Sequence, residues 1–311
     1  MPSLPPICLQ IVTWNNCDDL IATLSSLEQL DYPKAQLDLL VFDNGSTDGT
    51  MEKVATPMAT MTEAGWGRAD YNRSEDNLGA FGGRAAAQKL MTKRAEFFFS
   101  LDDDLELAAD SLAILLTALQ QTAAGSAGAR IVYHSDPSRV AISAGYMNPW
   151  SGTFSGSAPT QRTPCHFTGA GATLFRRAVF DSVGGFDADY YTSHGDVDIG
   201  LKIVKSGHEV LYVPEAVIEH KVAIGGTRTP ERMYYQLRNK VLLFRKHLSL
   251  PQRLIVYSLY ALAWVPKLLL SSIAFHRGLN GPELKAIARA LVDAVLDRRG
   301  RIGEGGEGVD S

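Results

Sequence analysis

The chain has 311 residues, 45% of them hydrophobic and 21% charged, and its formal net charge is −4. This ordinary globular composition can build a full core, and the length suits one large α/β domain with an appendage, or two domains. The three cysteines lie far apart without metal-ligand spacing, which argues against a disulfide framework and favours a reducing compartment. The N-terminus has no basic region and carries Pro5-Pro6, so we expect no secretion signal.

Charge is unevenly distributed along the chain. Residues 226–301 contain 14 Lys and Arg against 4 Asp and Glu, whereas residues 1–225 contain 16 against 27. An acidic N-terminal part and a basic C-terminal segment suggest that the two parts have different functions. Basic segments bind phosphate or anionic lipid. A solvated helical face is the alternative interpretation of the basic segment.

The first fifty residues alternate between strand and helix patterns: strand Ile7–Val12, helix Leu20–Leu30, strand Leu37–Phe42 and a helix from about Thr50. This spacing is typical of βαβ units around a parallel sheet. Ligands of such sheets bind at the carboxyl ends of the strands, which is where Thr13, Asp43 and Asp102 fall. We therefore expect these three side chains on one rim of the sheet.

Gly79, Gly82 and Gly83 precede a helix that we predict over Ala85–Arg94. Glycines allow a ligand to approach the backbone closely, and the amides at a helix N-terminus suit phosphate. The segment is neither GxGxxG nor a Walker loop, so a tight connection with glycines required for steric reasons is the alternative.

A short apolar run, Phe97–Leu101, predicts a buried strand and is followed by three consecutive carboxylates, Asp102, Asp103 and Asp104. Burying unpaired carboxylates is costly, so these residues should either cap a helix or hold a cation. Capping is one option, because Asp104 precedes the run 105–121, which we predict as a helix. Capping needs only one carboxylate, however, and hard divalent cations prefer oxygen ligands, so metal binding is the other option.

The order of these motifs resembles that of one enzyme family. A strand followed by TWNN, a strand followed by DNGSTDGT, a DNLGAFGG segment and a strand ending in DDD are similar to the nucleotide-sugar half of inverting family 2 glycosyltransferases. The resemblance implies a GT-A fold, an α/β architecture with a Rossmann-like, mostly parallel central sheet flanked by helices, here followed by a C-terminal helical appendage. It covers residues 5–250 approximately, and DNGSTDGT is its most specific motif.

The resemblance also implies roles for individual residues. Asp102 and Asp104 would bracket a divalent cation, Mn²⁺ or Mg²⁺, on the diphosphate of a nucleotide-sugar. The ends of the first two strands would hold the uridine, and the segment before the glycines would clamp base or ribose. The implied nucleotide-sugar contacts are, in chain order, Thr13, Asp43, Asp76, Asn77, Gly79 and Asp103.

The region 125–165 is rich in Gly and Ser, with strand-like pieces at 129–133 and 140–144. We expect it to include loops on the acceptor side. A strand at 168–176 and a helix at 177–183 are predicted after it.

Asp196 and Asp198 stand at the start of a predicted helix, 197–206. Carboxylates at this position commonly cap a helix, but a general base near an acceptor hydroxyl also requires a carboxylate. The stretch resembles the acceptor motif of the family, in which Glu-Asp is followed two residues later by Asp. The resemblance makes Asp196 the catalytic base. We expect Asp198 to orient or to cap the helix, and we place it with His194 on the acceptor side. Gly195 replaces the usual Glu.

Two strands are predicted at 210–214 and 216–221, and the second contains His220 near its end. A histidine at the end of an apolar strand is by default a structural residue. In the family, a proline-marked strand followed by a β run ending in His completes the metal site, so the resemblance makes His220 the third ligand. A neutral imidazole beside two carboxylates suits Mn²⁺ or Mg²⁺.

A helix from Glu231 towards His247 precedes the apolar run Leu254–Phe275, whose only charge is Lys267 beside a proline. The length permits a membrane span, but the central Pro–Lys pair and the flanking bases fit better an interfacial helix pair on an anionic membrane. A core helix or an oligomer contact is the alternative. Residues 302–311, rich in glycine and acid, predict a disordered tail.

These expectations combine into one hypothesis. The chain is an inverting glycosyltransferase that moves a sugar from a UDP- or dTDP-sugar to a hydroxyl of a glycan or lipid-linked saccharide, by metal-assisted single displacement, in cell-surface polysaccharide synthesis. Bacterial rhamnosyl- and galactofuranosyltransferases both resemble it, with the motif pattern leaning towards the latter. We expect it in the cytoplasm at the inner face of a bacterial plasma membrane, with no nucleic-acid partner; homo-oligomerisation stays open.

The expected catalytic domain spans 1–225, with a nucleotide-sugar half at about 5–124 and an acceptor half at about 125–225, followed by a membrane-associating segment at 226–301. The alternative function is a membrane-associated sugar- or nucleotide-binding protein of the same fold without catalysis, and Gly195 is its only support. A nucleotidyltransferase would need a basic, glycine-rich loop after the first strand, which TWNN does not provide.

Overall fold

The computed structural model describes residues 4–224 and 228–303, and the chain divides into two compact units. Unit 1 comprises Met1–Gly145, Gly156–Ala188 and Gly195–Gly226, and unit 2 comprises Tyr146–Ser155, Asp189–His194 and Thr227–Ser311. Most of the tail predicted over 302–311 lies outside the described residues, which end at 303.

The early part of unit 1 alternates strand and helix, as the hydrophobic spacing predicts. The strands of the chain are β1 (Ile7–Thr13), β2 (Leu37–Asp43), β3 (Arg68–Arg73), β4 (Phe97–Leu101), β5 (Leu105–Leu107), β6 (Ser126–Tyr133), β7 (Asp136–Ile142), β8 (Ala144–Met147), β9 (Phe154–Ser157), β10 (Thr163–Cys165), β11 (Ala172–Arg176) and β12 (Val210–His220). The helices of unit 1 are α1 (Cys17–Glu28), α2 (Thr50–Glu63), α3 (Gly79–Ala87), α4 (Ser111–Gln120), α5 (Arg177–Ser182) and α6 (Gly195–Lys205).

One mixed sheet organises unit 1, with strand order β10-β12-β6-β11-β4-β1-β2-β3. The run β4-β1-β2-β3 is parallel, β11 is antiparallel to both of its neighbours, and β6 and β12 are again parallel. The strands β5 and β7 pair with β12 and β6 respectively, and β8 and β9 form a separate two-stranded sheet. The parallel run fixes one edge at which the strands β1, β2 and β4 end.

The three phenylalanines of β4 show how the sheet is buried on both faces. Successive side chains of a strand point to opposite faces. Phe97 and Phe99 join the apolar cluster that includes the leucines of α1 and α4, whereas Phe98 stacks on Phe175 at 5.6 Å and packs edge-on against Phe180 at 4.9 Å. A strand covered on both faces carries a continuous apolar run rather than an alternating one.

The predicted helix over 105–121 is wrong in its first six residues. Leu105–Leu107 form β5, which pairs antiparallel with the end of β12, and α4 begins only at Ser111. Leu105 and Leu107 are buried while Glu106 is partly exposed, an alternation that fits a strand. Asp104 therefore precedes a strand, and its predicted helix cap is not formed.

Other boundaries also differ from prediction. The helix α3 begins at Gly79, six residues before the predicted start, because the glycine segment is itself helical. The strands predicted at 210–214 and 216–221 are one strand, β12, with an irregularity between Val213 and Val217 that absorbs the proline. Of the strand predicted at 168–176, only Ala172–Arg176 forms.

Unit 2 is mainly helical. Its helices are α7 (Pro230–His247), α8 (Leu250–Leu259), α9 (Val265–His276) and α10 (Gly281–Val295). A π-helical turn, Tyr260–Trp264, joins α8 and α9, so Leu250–His276 is one continuous apolar helix of 27 residues and not the predicted helix pair. It is long and apolar enough to cross a membrane by length and composition, with a mean hydropathy of 1.6 over an 18-residue window.

Candidate functional site

Three predicted side chains meet at the carboxyl ends of the parallel strands. Thr13 pairs with Asp43 across β1 and β2. The strand β4 lies on the other side of β1 and ends directly before Asp102. The prediction that these residues share one rim of the sheet is therefore confirmed.

Asp43 lies in a pocket of hydrogen-bond donors. Its carboxylate accepts hydrogen bonds from the Ser46 backbone amide at 2.8 Å and the Ser46 hydroxyl at 2.6 Å. The Tyr71 hydroxyl donates to the other oxygen, which also lies 3.3 Å from Nε of Arg73. The side chain is buried, so these contacts fix its orientation. The DNGSTDGT loop thus builds a rigid polar wall next to Thr13.

Three further predicted nucleotide-sugar contacts, Asp76, Asn77 and Gly79, lie where α3 begins. Asp76 is exposed, while the Asn77 side chain accepts a 2.8 Å hydrogen bond from the Gly79 amide and so starts the helix. Gly79 has φ 76°, a left-handed conformation that favours glycine. At Gly83, an added Cβ would lie 2.7 Å from Val12, so close packing of α3 on β1 requires this glycine.

Asp102, Asp104 and His220 converge on one point. One ligand atom from each lies within 4.8 Å of the others. Nε2 of His220 is 2.8 Å from Oδ1 of Asp104 and 4.0 Å from Oδ2 of Asp102. The pairing of Leu105 with His220 between β5 and β12 brings Asp104 to the histidine. Two carboxylates and an imidazole form a donor set that fits a divalent cation such as Mn²⁺ or Mg²⁺.

The electrostatics of this cluster favour a positive charge. Burial alone would lower the pKa of His220, but the hydrogen bond to Asp104 and the charge of Asp102 outweigh it and raise that pKa. The cluster also requires a residue without a side chain at Gly171, because a Cβ there would lie only 1.8 Å from Oδ2 of Asp102.

Arg84 is a site residue that the sequence analysis missed. Its side chain is 4% exposed, and its guanidinium pairs with Oδ1 of Asp102 and donates to the Ser100 hydroxyl and the Ala80 carbonyl, each at 3.2 Å. The signal was an arginine directly after the glycine segment, one turn into α3. A buried arginine beside a carboxylate that faces a cation site sets the charge balance of that site.

Asp103, the middle carboxylate, is not one of the three side chains of the cation cluster. Its Oδ1 accepts a 3.2 Å hydrogen bond from the Asn16 side chain in the loop after β1. Burial, together with the neighbouring charges of Asp104 and Asp102, raises the pKa of Asp103 to about 6. The carbonyl of Asp103 accepts a hydrogen bond from Thr23 of α1 at 2.9 Å, which fixes the turn.

Asp196 lies in the first turn of α6, where its Oδ1 accepts a 2.9 Å hydrogen bond from the next backbone amide. Burial raises its pKa, the positive charge of Arg84 lowers it, and the negative charge of Asp102 raises it. Asp196 is therefore close enough to the cation cluster for their charges to interact. A carboxylate with a raised pKa near such a cluster is suited to accept a proton.

The structure gives a physical reason for Gly195. A Cβ at this position would lie 2.4 Å from the ring of Phe81 in α3. The site that carries Glu in the family motif is filled here by an aromatic ring from the glycine segment. Gly195 is thus a packing requirement of this chain.

Asp198 is fully buried and forms an ion pair with Lys202 one turn later in α6, at 2.7 Å. The same lysine donates to the Gly185 carbonyl at 3.2 Å. This pair ties α6 to the turn before it. An acceptor contact for Asp198 stays a prediction.

His194 belongs to unit 2 and ends a loop in left-handed backbone: φ is 34° at Tyr191, 62° at Ser193 and 68° at His194. Such conformations cost about 1 to 3 kcal/mol each in residues other than glycine. The Asn239 side chain compensates by donating to the carbonyls of Tyr190 at 3.1 Å and Ser193 at 3.0 Å, and also to that of Thr192. Sequence reasoning did not identify this clamp.

Comparison with known proteins agrees with this geometry. Residues 8–184 match the family described as Glycosyl transferase family 2. The N-acetylglucosaminyl-diphospho-decaprenol L-rhamnosyltransferase of Mycobacterium tuberculosis is 29% identical over 217 residues, which cover 62% of this chain and 69% of that protein.

Two solved structures resemble the fold at low sequence identity. A mannosyltransferase from Pyrobaculum calidifontis, in complex with GDP-Man and Mn²⁺, has a TM-score of 0.59 and 17% identity and covers 96% of this chain and 91% of its own. S. aureus TarS, in complex with UDP-GlcNAc, has a TM-score of 0.60 and 14% identity and covers 94% of this chain and 81% of its own. With the mixed sheet and the C-terminal helical region, these neighbours confirm the GT-A fold class.

The family match covers more than half of the 311 residues and contains the strand ends, the glycine segment and the DDD turn. The chain therefore belongs to glycosyl transferase family 2 and is a glycosyltransferase.

Proposed function

We propose that this glycosyltransferase moves a sugar from a UDP- or dTDP-sugar to a hydroxyl of a lipid-linked saccharide in cell-wall polysaccharide synthesis, with inversion at the anomeric carbon. The observation that carries the proposal is the convergence of Asp102, Asp104 and His220 within 4.8 Å, with the charge of Asp102 also acting on Asp196. The cluster supplies a site for a diphosphate leaving group, and Asp196 supplies a base.

On the donor side, the pocket around Asp43 supports recognition of a nucleoside. A buried carboxylate with a fixed orientation can accept a hydrogen bond from the ring N–H of uracil or thymine. Thr13 lies directly opposite on β1. We further propose that the donor side of the site distinguishes UDP from dTDP. The nucleotide-sugar would also be contacted by Asp76, Asn77, Gly79 and Asp103.

Asp102, Asp104 and His220 would hold the divalent cation. When bound there, a cation supplies positive charge that neutralises the diphosphate leaving group. Arg84 pairs with Asp102 and keeps its carboxylate oriented beside the site. Both Mn²⁺ and Mg²⁺ accept this donor set.

Asp196 would take the proton of the acceptor hydroxyl as that oxygen attacks the anomeric carbon. A single attack opposite the leaving group inverts the configuration. Burial raises the pKa of Asp196, and a higher pKa strengthens the carboxylate as a base. His194, two residues earlier in the chain, and Asp198 are proposed to border the acceptor.

The acceptor side of the proposal rests on unit 2 and on the named relative. The helix Leu250–His276 is only 11% buried over its most apolar window, and its exposed apolar side chains include Leu254, Leu262, Leu270 and Phe275. The segment 226–301, which contains this helix, carries fourteen Lys and Arg residues. An exposed apolar helix in a basic segment suits the surface of an anionic membrane, so we place the enzyme at the inner face of a bacterial plasma membrane.

For the sugar, the rhamnosyltransferase name of the relative favours rhamnose over galactofuranose, towards which the motif pattern leans. The experiment is transfer from dTDP-rhamnose and from UDP-sugars to a lipid-linked N-acetylglucosamine acceptor, with the anomeric configuration of the product read by NMR. We expect an inverted product. A retained configuration would contradict the single displacement.

The base is tested by Asp196→Asn, with Asp181→Asn as a matched control because that aspartate is half exposed and pairs with Arg177 on the surface. We expect Asp196→Asn to lower kcat by roughly a hundredfold or more while donor binding is kept. Unchanged turnover by Asp196→Asn would refute the assignment and would favour the interpretation of a binding protein without catalysis.

A further inference from the structure

Lys240 of α7 presents its ammonium to two aromatic rings. Its ammonium lies 4.8 Å from the ring centroid of Phe154 and 5.2 Å from that of Trp264. Across residues 4–224 and 228–303, no carboxylate lies within ion-pairing distance of it and no hydrogen bond from it is formed. The side chain is half-buried, and burial lowers its pKa. Aromatic faces stabilise an ammonium without neutralising it, so its positive charge stays available to an anion.

His194 supplies a second unused polar group to the same place. Its ring packs against Phe154 with centroids 5.5 Å apart, and its Nδ1 is buried without a hydrogen-bond partner among the described residues. Burial, together with the charge of Lys240, lowers the pKa of His194 to about 3, so the imidazole is neutral. A neutral imidazole still donates one hydrogen bond. In the tautomer that carries the proton on Nδ1, His194 is a donor without an acceptor, and together with the Lys240 ammonium it favours an anionic ligand.

The backbone around this pair is held in place before any ligand binds. The Asn239 side chain, adjacent to Lys240 in α7, donates to the carbonyls of the loop that ends at His194. The left-handed φ of His194, 68°, is therefore imposed by the fold. A site whose groups are already oriented loses less entropy on binding.

We propose that Lys240 and His194, bordered by Phe154 and Trp264, bind a phosphate group of the lipid-linked acceptor. The inference rests on the proposed function, which supplies an acceptor that carries phosphate between its sugar and its lipid. His194 precedes Asp196 by two residues in the chain, so a phosphate held at His194 positions the acceptor sugar relative to the base. Phosphate on a bilayer lipid has the same chemistry, and the experiment separates the two sources.

The first measurement is calorimetric binding of hexyl diphosphate to the full chain in EDTA, which keeps divalent cations away from Asp102 and Asp104. The variants are Lys240→Met, Lys240→Arg and Lys267→Met. Lys267 is the matched control, because it is exposed and its ammonium lies 5.9 Å from the same Trp264 ring. We expect affinity to fall roughly tenfold or more in Lys240→Met, and to be kept in Lys240→Arg and Lys267→Met. Equal affinity in wild type and Lys240→Met overturns the proposal.

The second measurement is kinetic and compares an alkyl diphosphate-linked sugar acceptor with a neutral alkyl glycoside of the same sugar. Lys240→Met should raise KM for the first acceptor roughly tenfold and leave KM for the second and for the donor unchanged. An equal loss with both acceptors would mean a structural role and overturns the proposal. If wild type transfers sugar to neither acceptor, the proposed function fails, and the calorimetry alone decides the site.

Anionic vesicles without acceptor identify the source of the phosphate. If they displace hexyl diphosphate from wild type but not from Lys240→Met, a membrane headgroup occupies the site and the acceptor assignment is wrong. Vesicles that leave hexyl diphosphate bound support the acceptor. Thermal unfolding of each variant within a few degrees of wild type confirms that the chain is folded.

Discussion

Substitution of Arg84 should affect both stability and the cation site, because its guanidinium contacts Ser100 and Ala80 as well as Asp102. The substitution Arg84→Met removes a side chain that is 4% exposed, the hydrogen bonds to Ser100 and Ala80, and the partner of Asp102. Breaking one side of a buried ion pair costs about 3 to 5 kcal/mol. Asp102 is 33% exposed and can be partly rehydrated, so we expect about 3 kcal/mol, or roughly 6 to 12 °C in Tm.

The variant should respond more strongly to metal than wild type does. Without Arg84, no guanidinium offsets the negative charge of Asp102, so a cation should bind more tightly. Mn²⁺ should therefore raise Tm by more in Arg84→Met than in wild type. The positive charge of Arg84 also lowers the pKa of Asp196, so its removal should raise that pKa further. A base acts in its deprotonated form, and the acidic limb of the kcat profile should therefore move to higher pH.

The assay is thermal unfolding with and without Mn²⁺, followed by kcat against pH. Arg177→Met is the control, because that arginine pairs with Asp181 four residues away on the surface and lies outside the site. A Mn²⁺ response equal to that of wild type, with an unshifted pH profile, would refute the electrostatic role of Arg84 and leave it a packing residue.

Three further outcomes follow from the structure. Gly195→Ala places a Cβ 2.4 Å from Phe81 and should cost about 1 to 3 kcal/mol in thermal unfolding. Introduced into a Phe81→Ala chain, the same substitution should cost little more than Phe81→Ala alone; no loss in wild type would show that the ring moves freely. Asn239→Asp replaces the amide donor that holds the loop ending at His194 by an acceptor. It should lower kcat by roughly a hundredfold at unchanged KM for the donor sugar. A change in that KM alone would contradict a role of Asn239 in positioning the loop. The hydrogen bond from Arg228 lowers the pKa of Glu283 from 4.5 to about 2, so its contribution of about 3 kcal/mol is present above pH 4.5 and is lost as pH falls towards 2; between pH 6 and pH 3, urea unfolding should show a larger loss of stability in wild type than in Glu283→Gln.

The strand ends of the site were predictable because they depend on local pattern. The apolar run Phe97–Leu101 and the spacing of the earlier strands fixed a parallel sheet, and parallel strands must end at one edge. Thr13, Asp43 and Asp102 followed from that geometry. The meeting of Asp104 with His220 came only from the family resemblance, since it depends on the pairing of β5 with β12 across more than 100 residues.

What escaped prediction depends on long-range packing. The apolar spacing of Leu105–Leu107 suits a helix and a strand equally. The segment forms a strand because its backbone pairs with β12. Arg84 looks like a surface residue of α3 until Asp102 is placed beside it. The contact of Phe81 with Gly195 and the clamp by Asn239 likewise join segments far apart in the chain, and no single-sequence pattern records such contacts.

The central claim is that Asp102, Asp104 and His220 form a cation site for a nucleotide diphosphate. The most direct test is the Tm of wild type and Asp104→Asn with UDP and with dTDP, each with and without Mn²⁺. We predict stabilisation of about 2.7 kcal/mol at a nucleotide concentration one hundred times Kd, only with Mn²⁺ and only in wild type. Equal stabilisation without metal, or in Asp104→Asn, would contradict the claim.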